Sequence, residues 1–239
     1  MKDYLDEIKD LNQEKKEIIR ENNSSMVIAN PGTGKTKLLA YKYLHLIKQG
    51  IDPKDILCLT FTEKASQEMQ ERILNLITEE KQPTDLTQIN ISTFHAFALD
   101  NLEENNIISS NLLRYEIFTY LVENQVLNYA ESYLLEKIIP KIENAIRYIK
   151  SFGITPDQIN QEKVKEHLTD TKNYEKQELE SYLEHFVNIF KKYEKYKQKK
   201  GIDYADLLIN FQQQKQKPLY KWVLVDELQD VNNMEAEIV

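Results

Sequence analysis

The chain has 239 residues, 41% hydrophobic and 29% charged, a balance that supports a buried core and excludes a disordered polypeptide. No apolar run approaches the roughly 18 residues of a membrane span, and the polar start Met1–Asp10 does not fit a signal peptide. A net charge of −8, with 15 basic and 17 acidic side chains in residues 100–200 and 16 and 22 elsewhere, excludes a basic nucleic-acid module, so contact with nucleic acid needs a local patch.

The first predicted strand is the β-type run Ser25–Ala29. A helical stretch follows, Lys35–Gln49, closed by Gly50 and then Pro53. The next apolar run, Ile56–Phe61, holds the single cysteine, Cys58, which cannot form an internal disulfide; the expected location is a reducing cytoplasm. One cysteine and four scattered histidines give no zinc spacing. Helical Glu63–Ile77 separates this run from a third, Ile89–Phe94, and a fourth comes late, at Trp222–Val225. Apolar strands alternating with helices predict an α/β fold on a parallel sheet covered on both faces.

Between about residues 100 and 200 the strand-like runs stop. Helical stripes replace them: Ile142, Ala145, Ile146 and Ile149, then Leu179, Tyr182, Leu183, Phe186, Ile189, Phe190 and Tyr193. The expectation is an all-helical domain, 100–200, inserted into an α/β core formed by 1–99 and 201–239. The basic run Lys191–Lys200 reads as the solvated face of a helix, with contact to duplex backbone as the alternative. The tail Met234–Val239 has apolar residues at helical spacing, so the chain is expected to be one part of a longer protein.

Chemistry concentrates in two places. Ala29-Asn30-Pro31-Gly32-Thr33-Gly34-Lys35-Thr36 lies between a predicted strand and a helix. Glycines let backbone N–H groups converge on a phosphate, and the new helix adds its positive end. Lys35 would reach the β- and γ-phosphates of a nucleotide, and the Thr36 hydroxyl would bind Mg²⁺. The second place is Trp222–Asp230, an apolar strand ending in Asp226 and Glu227. Carboxylates there stand at the ligand-binding edge of a parallel sheet. Asp226 suits Mg²⁺, and Glu227 a base for the attacking water.

These segments resemble the UvrD/Rep-type superfamily 1 helicases. Asp226-Glu-Leu-Gln-Asp230 is similar to their DExQD box and Ala29–Thr36 to their AxxGxGKT loop. Leu59–Met69 resembles motif Ia, Thr93-Phe-His-Ala-Phe97 resembles motif Ib, and Asp203–Leu208 resembles the FxDLL helix. The resemblance implies a RecA-like nucleotide-binding sheet, ATP and Mg²⁺ as ligands, and 3′–5′ movement on single-stranded or partial-duplex DNA. It adds Gln229 to the catalytic set of Lys35, Asp226 and Glu227. It places Phe61, Thr62, Thr93, Phe94 and His95 along the DNA path. A nucleotide-binding module that does not translocate is the competing reading.

The sequence departs from the family at two positions. Lys15 stands where the family's LNxxQ opening has an adenine-reading glutamine, and an ammonium only donates, so weak discrimination of ATP from GTP is expected. Glu63 replaces the asparagine of motif Ia. With the family's later motifs absent from these residues, the chain alone is expected to bind nucleotide and turn it over slowly.

Overall fold

The computed structural model describes residues 4–30, 32–102, 106–109, 111–126, 129–160, 162–164, 176–214 and 220–238. They fall into two compact units, residues 4–97 with 220–231, and residues 98–214 with 232–238.

In the first unit, helices α1 (Tyr4–Glu7), α2 (Gln13–Arg20), α3 (Lys35–Lys48) and α4 (Glu63–Glu79) accompany strands β1 (Ile56–Thr60), β2 (Asn90–Thr93) and β3 (Trp222–Val225). The sheet is parallel in the order β2-β1-β3. β1 is central and buried at every position, as its uninterrupted Ile-Leu-Cys-Leu-Thr run requires. Helix α3 ends where Gly50 adopts φ +87: its N–H donates to Ile47 O at 2.9 Å while Ile51 N–H reaches Leu46 O at 3.0 Å, satisfying carbonyls the helix would leave open. α4 begins at Thr62, whose hydroxyl accepts from Ala65 N at 3.1 Å, and buries the stripe Met69, Ile73, Ile77. That stripe joins Tyr43, Leu44, Ile47, Ile56, Cys58 and Leu224 in one core. Each such side chain contributes about 1.5–3 kcal/mol on burial.

The predicted strand Ser25–Ala29 does not form. Residues 24–30 are outside the sheet, with Met26 68% and Ile28 87% exposed. A β-type composition registers a preference for burial, but a strand exists only through a partner's ladder. Just before the segment, Lys42 Nζ donates to the carbonyls of Ile19 and Glu21, and the same ammonium covers the Trp222 ring at 4.9 Å. Among the described residues, no comparable bond holds 24–29 to β3.

The second unit contains α5 (Phe94–Asp100, which starts in the first unit), α6 (Asn111–Glu123), α7 (Ile139–Lys150), α8 (Lys176–Lys197), α9 (Tyr204–Gln213) and α10 (Asn233–Ala236). Leu113, Ile117 and Leu121 of α6 pack with Ile139 and Ile146 of α7 and Ile189, Phe190 and Tyr193 of α8. The Leu179 side chain and Val239 lie outside the described residues, and Tyr182 is exposed.

A polar network sits beside that core. Lys150 Nζ contacts Glu194 (3.0 Å), Asp203 (2.5 Å) and Asp206 (2.8 Å), and Lys197 Nζ reaches Glu194 and Asp206 at 2.6 Å each. Tyr193 donates its hydroxyl to Asp203 at 2.8 Å. Burial pulls the Asp203 carboxyl up, but the Lys150 and Lys197 ammoniums outweigh it and hold it down at about 2. The three carboxylates come within 4.8 Å of one another, as metal ligands would, yet the two ammoniums already take their lone pairs. Lys197, expected on a solvated face, is 5% exposed.

Candidate active site

The glycine loop owes its shape to two left-handed residues, Gly32 at φ +78 and Gly34 at φ +85. A β-carbon would make either conformation costly. Gly34 is the N-cap of α3 and makes no side-chain cap bond, so the cap residue leaves the first-turn N–H groups uncovered. Thr33 closes the turn by donating its hydroxyl to Asn30 O at 2.7 Å and its N–H to the same oxygen at 3.4 Å. Lys35 Nζ donates to Ala29 O at 3.3 Å, folding the ammonium back over the loop. Thr36 lies half-buried in the first turn of α3, and Pro31 lies outside the described residues.

The carboxyl edge of the sheet gathers the rest of the predicted residues. The β1–β2 register sets Thr60 beside Thr93, and Asp226 N–H donates to Leu59 O at 2.9 Å, extending the β1–β3 ladder. The segments after all three strands therefore emerge side by side. Asp226 is 4% exposed, and its carboxylate accepts from Glu227 N–H at 3.0 Å. Burial, and secondarily the Asp226 charge, push the Cys58 thiol up to about 12, so Cys58 is an inert core residue. Gln229 donates its amide to Glu227 Oε2 at 2.5 Å and to Asp230 at 3.4 Å.

The five residues expected to touch DNA separate into different environments. Phe61 is 47% exposed after β1. The Thr62 and Thr93 hydroxyls accept helix-start N–H groups, from Ala65 at 3.1 Å and Ala96 at 3.2 Å. His95 is half-buried. Phe94, also expected on the DNA path, is 1% exposed at the start of α5, a core position.

Sequence reading missed the contact of Lys15 Nζ with Thr33 O at 2.7 Å, because it joins residues 18 positions apart on different elements. An open groove of 410 Å³ elsewhere in the first unit, lined by Asp10, Glu68, Glu71, Arg72 and Glu79 among others, contains none of the candidate residues. Its carboxylates disfavour a phosphate ligand.

A glycine loop opening a helix, together with paired carboxylates ending a parallel strand, defines a class of phosphate-handling proteins. The chain belongs to the UvrD/Rep helicase family: the family's N-terminal-domain model matches residues 11–239. It is 31% identical over 230 residues to a probable DNA helicase II homolog of Mycoplasma pneumoniae, covering 90% of this chain and 30% of that protein. It is 27% identical to the ATP-dependent DNA helicase Rep of Buchnera aphidicola, over 95% of this chain and 32% of the relative. The ATP-dependent DNA helicase SRS2 of Saccharomyces cerevisiae matches at 27% over 89% of this chain and 19% of its own length. The chain thus spans about a third or less of the length of these relatives. No helix among the described residues is long and apolar enough to cross a membrane.

Proposed function

We propose that this chain is the nucleotide-binding part of an ATP-dependent DNA helicase or translocase. In this reading the sheet belongs to a RecA-like core with residues 100–200 as an inserted helical domain. Mg·ATP is held by Ala29–Thr36 and Asp226, and single-stranded DNA runs along the sheet edge at Phe61, Thr62, Thr93 and His95. The 3′–5′ direction follows from the family resemblance.

One observation carries the nucleotide assignment: Gly32 and Gly34 are both left-handed at the uncapped start of α3. A β-carbon built at Gly32 would meet nothing within 4 Å, so the loop faces open space that an anion can fill. The donors suit the ligand. Lys35 exchanges the Ala29 carbonyl for a phosphate oxygen, a stronger acceptor because it is charged. The Thr36 hydroxyl and Asp226 carboxylate are hard oxygen donors fitting Mg²⁺. When bound, Mg²⁺ would neutralise charge on the phosphates. Glu227 takes the proton of the attacking water, and the Gln229 amide fixes the carboxylate that does so.

Titration calorimetry on Lys35→Ala tests the reading. Mg·ATP affinity should fall at least about tenfold, since the change removes a charge-assisted bond, with the melting temperature unchanged. Equal affinity in both proteins would refute the site.

A further inference from the structure

Lys15 lies in the first turn of α2, where its N–H donates to the Asn12 cap at 2.9 Å. Its side chain crosses to the glycine loop, where Nζ donates to Thr33 O at 2.7 Å. A β-carbon on Gly34 would lie 3.7 Å from that ammonium. The loop is therefore held by two lysines from different helices, each bonded to a carbonyl of the loop itself: Lys15 on Thr33 and Lys35 on Ala29. The helix that carries Lys15 is tied down elsewhere, by Arg20 on Asp6 at 2.7 Å, Lys16 on the Asp6 carbonyl at 3.2 Å, and Ile19 in the core shared with Leu38 and Tyr41.

Two physical points follow. A neutral carbonyl is a weaker partner for an ammonium than a phosphate oxygen, so a polyphosphate entering the loop draws Lys15 as it draws Lys35. The side chain alone needs to turn, because α2 is already in place. An ammonium reading the base would favour guanine, which offers N7 and O6 as acceptors where adenine offers N7 beside a donor amine, whereas an ammonium on the polyphosphate favours neither nucleotide.

We propose that Lys15 is a second phosphate-site cation, which makes the nucleotide site select on the polyphosphate and accept ATP and GTP alike. The proposal rests on the nucleotide reading of the loop. It gives Lys15 a role unlike that of the base-reading glutamine it replaces.

The test is displacement of fluorescent N-methylanthraniloyl-ATP by ATP, GTP and inorganic tripolyphosphate, each with Mg²⁺. Wild-type protein should bind ATP and GTP within about threefold of each other, and tripolyphosphate should compete. Lys15→Ala should weaken all three by a common factor, about tenfold for a half-exposed charge-assisted bond. Lys15→Arg should restore all three. Lys15→Gln keeps the stem and its packing and should lose tripolyphosphate by the same factor, so it carries the test if the alanine variant folds poorly.

Loss of one nucleotide alone, GTP or ATP, with tripolyphosphate untouched, would make Lys15 a base reader and overturn the proposal, as would unchanged affinities in every Lys15 variant. Lys35→Ala separates the two readings. If it abolishes binding while Lys15 variants do nothing, only the Lys15 assignment falls. If it too leaves nucleotide binding intact, the loop is not the site and both fall.

Discussion

Glu227 adopts φ +53, ψ +45, a left-handed conformation that costs a residue with a β-carbon about 1–2 kcal/mol. The conformation turns the chain sharply off β3, so that Glu227 stands at the sheet edge next to buried Asp226 while Gln229 bends back to hold its carboxylate. Phe61 and Phe94 show how close two residues can be in pattern and how far apart in environment. Each closes a β-type run. After β1 a short turn precedes the Thr62 cap, and Phe61 stays at the surface. After β2 the helix starts at once, with Thr93 bonding Ala96, and Phe94 enters the core. Phe94→Ala should therefore cost about 3–5 kcal/mol of stability in urea unfolding, the price of an emptied aromatic site, while Phe61→Ala should stay within about 0.5 kcal/mol. Equal stability of the two variants would contradict the placement of Phe94.

Elements whose identity rests on local pattern were legible. The apolar runs at Ile56, Ile89 and Trp222 are strands to within a residue or two at each end, and the Gly50 stop of α3 follows from backbone freedom. Ser25–Ala29 was misread because its apolar residues carry the preference for a sheet but not the partner. The network around Lys150 was invisible for another reason: its members are ordinary surface residue types on α7, α8 and the start of α9, and only packing joins them. Its energetics are testable. Lys150→Met leaves Glu194, Asp203 and Asp206 with Lys197 alone, and an uncompensated buried charge costs about 3–5 kcal/mol. The pH dependence has a definite sign. Asp203 is held at about 2 against an ordinary 3.8, so its contribution is complete above about pH 4 and is lost as pH falls towards 2. In the variant that depression shrinks, and the excess carboxylates gain by protonation. Thermal melts of both proteins should therefore show a gap that narrows between about pH 4 and 2; a constant gap would mean the ammonium does not set the Asp203 charge.

At the scale of the whole chain, the net charge of −8 opposes any polyanion, so the proposed DNA binding would rest on a small surface rather than on the chain's field. The proposed edge offers the exposed Phe61 ring, which stacks on any base because every base has a π-face. Beside it stands Glu63, a carboxylate in the first turn of α4, which repels phosphate. Thr62 and Thr93 each already hold a helix-start N–H on the hydroxyl oxygen, so they reach phosphate only by donating the hydroxyl proton. Few ionic contacts and one acidic neighbour predict weak binding of single-stranded DNA at low salt, indifferent to base sequence and lost as counterions compete. Removing the ring should weaken it by about 1–3 kcal/mol, the worth of one base stacked on an aromatic face. Glu63→Asn should strengthen it and flatten its salt dependence, because a like charge leaves the path. Fluorescence anisotropy with a labelled oligonucleotide, titrated across a salt series on wild type, Phe61→Ala and Glu63→Asn, measures all of this at once. Measurable binding that neither substitution alters would place the DNA path on another surface.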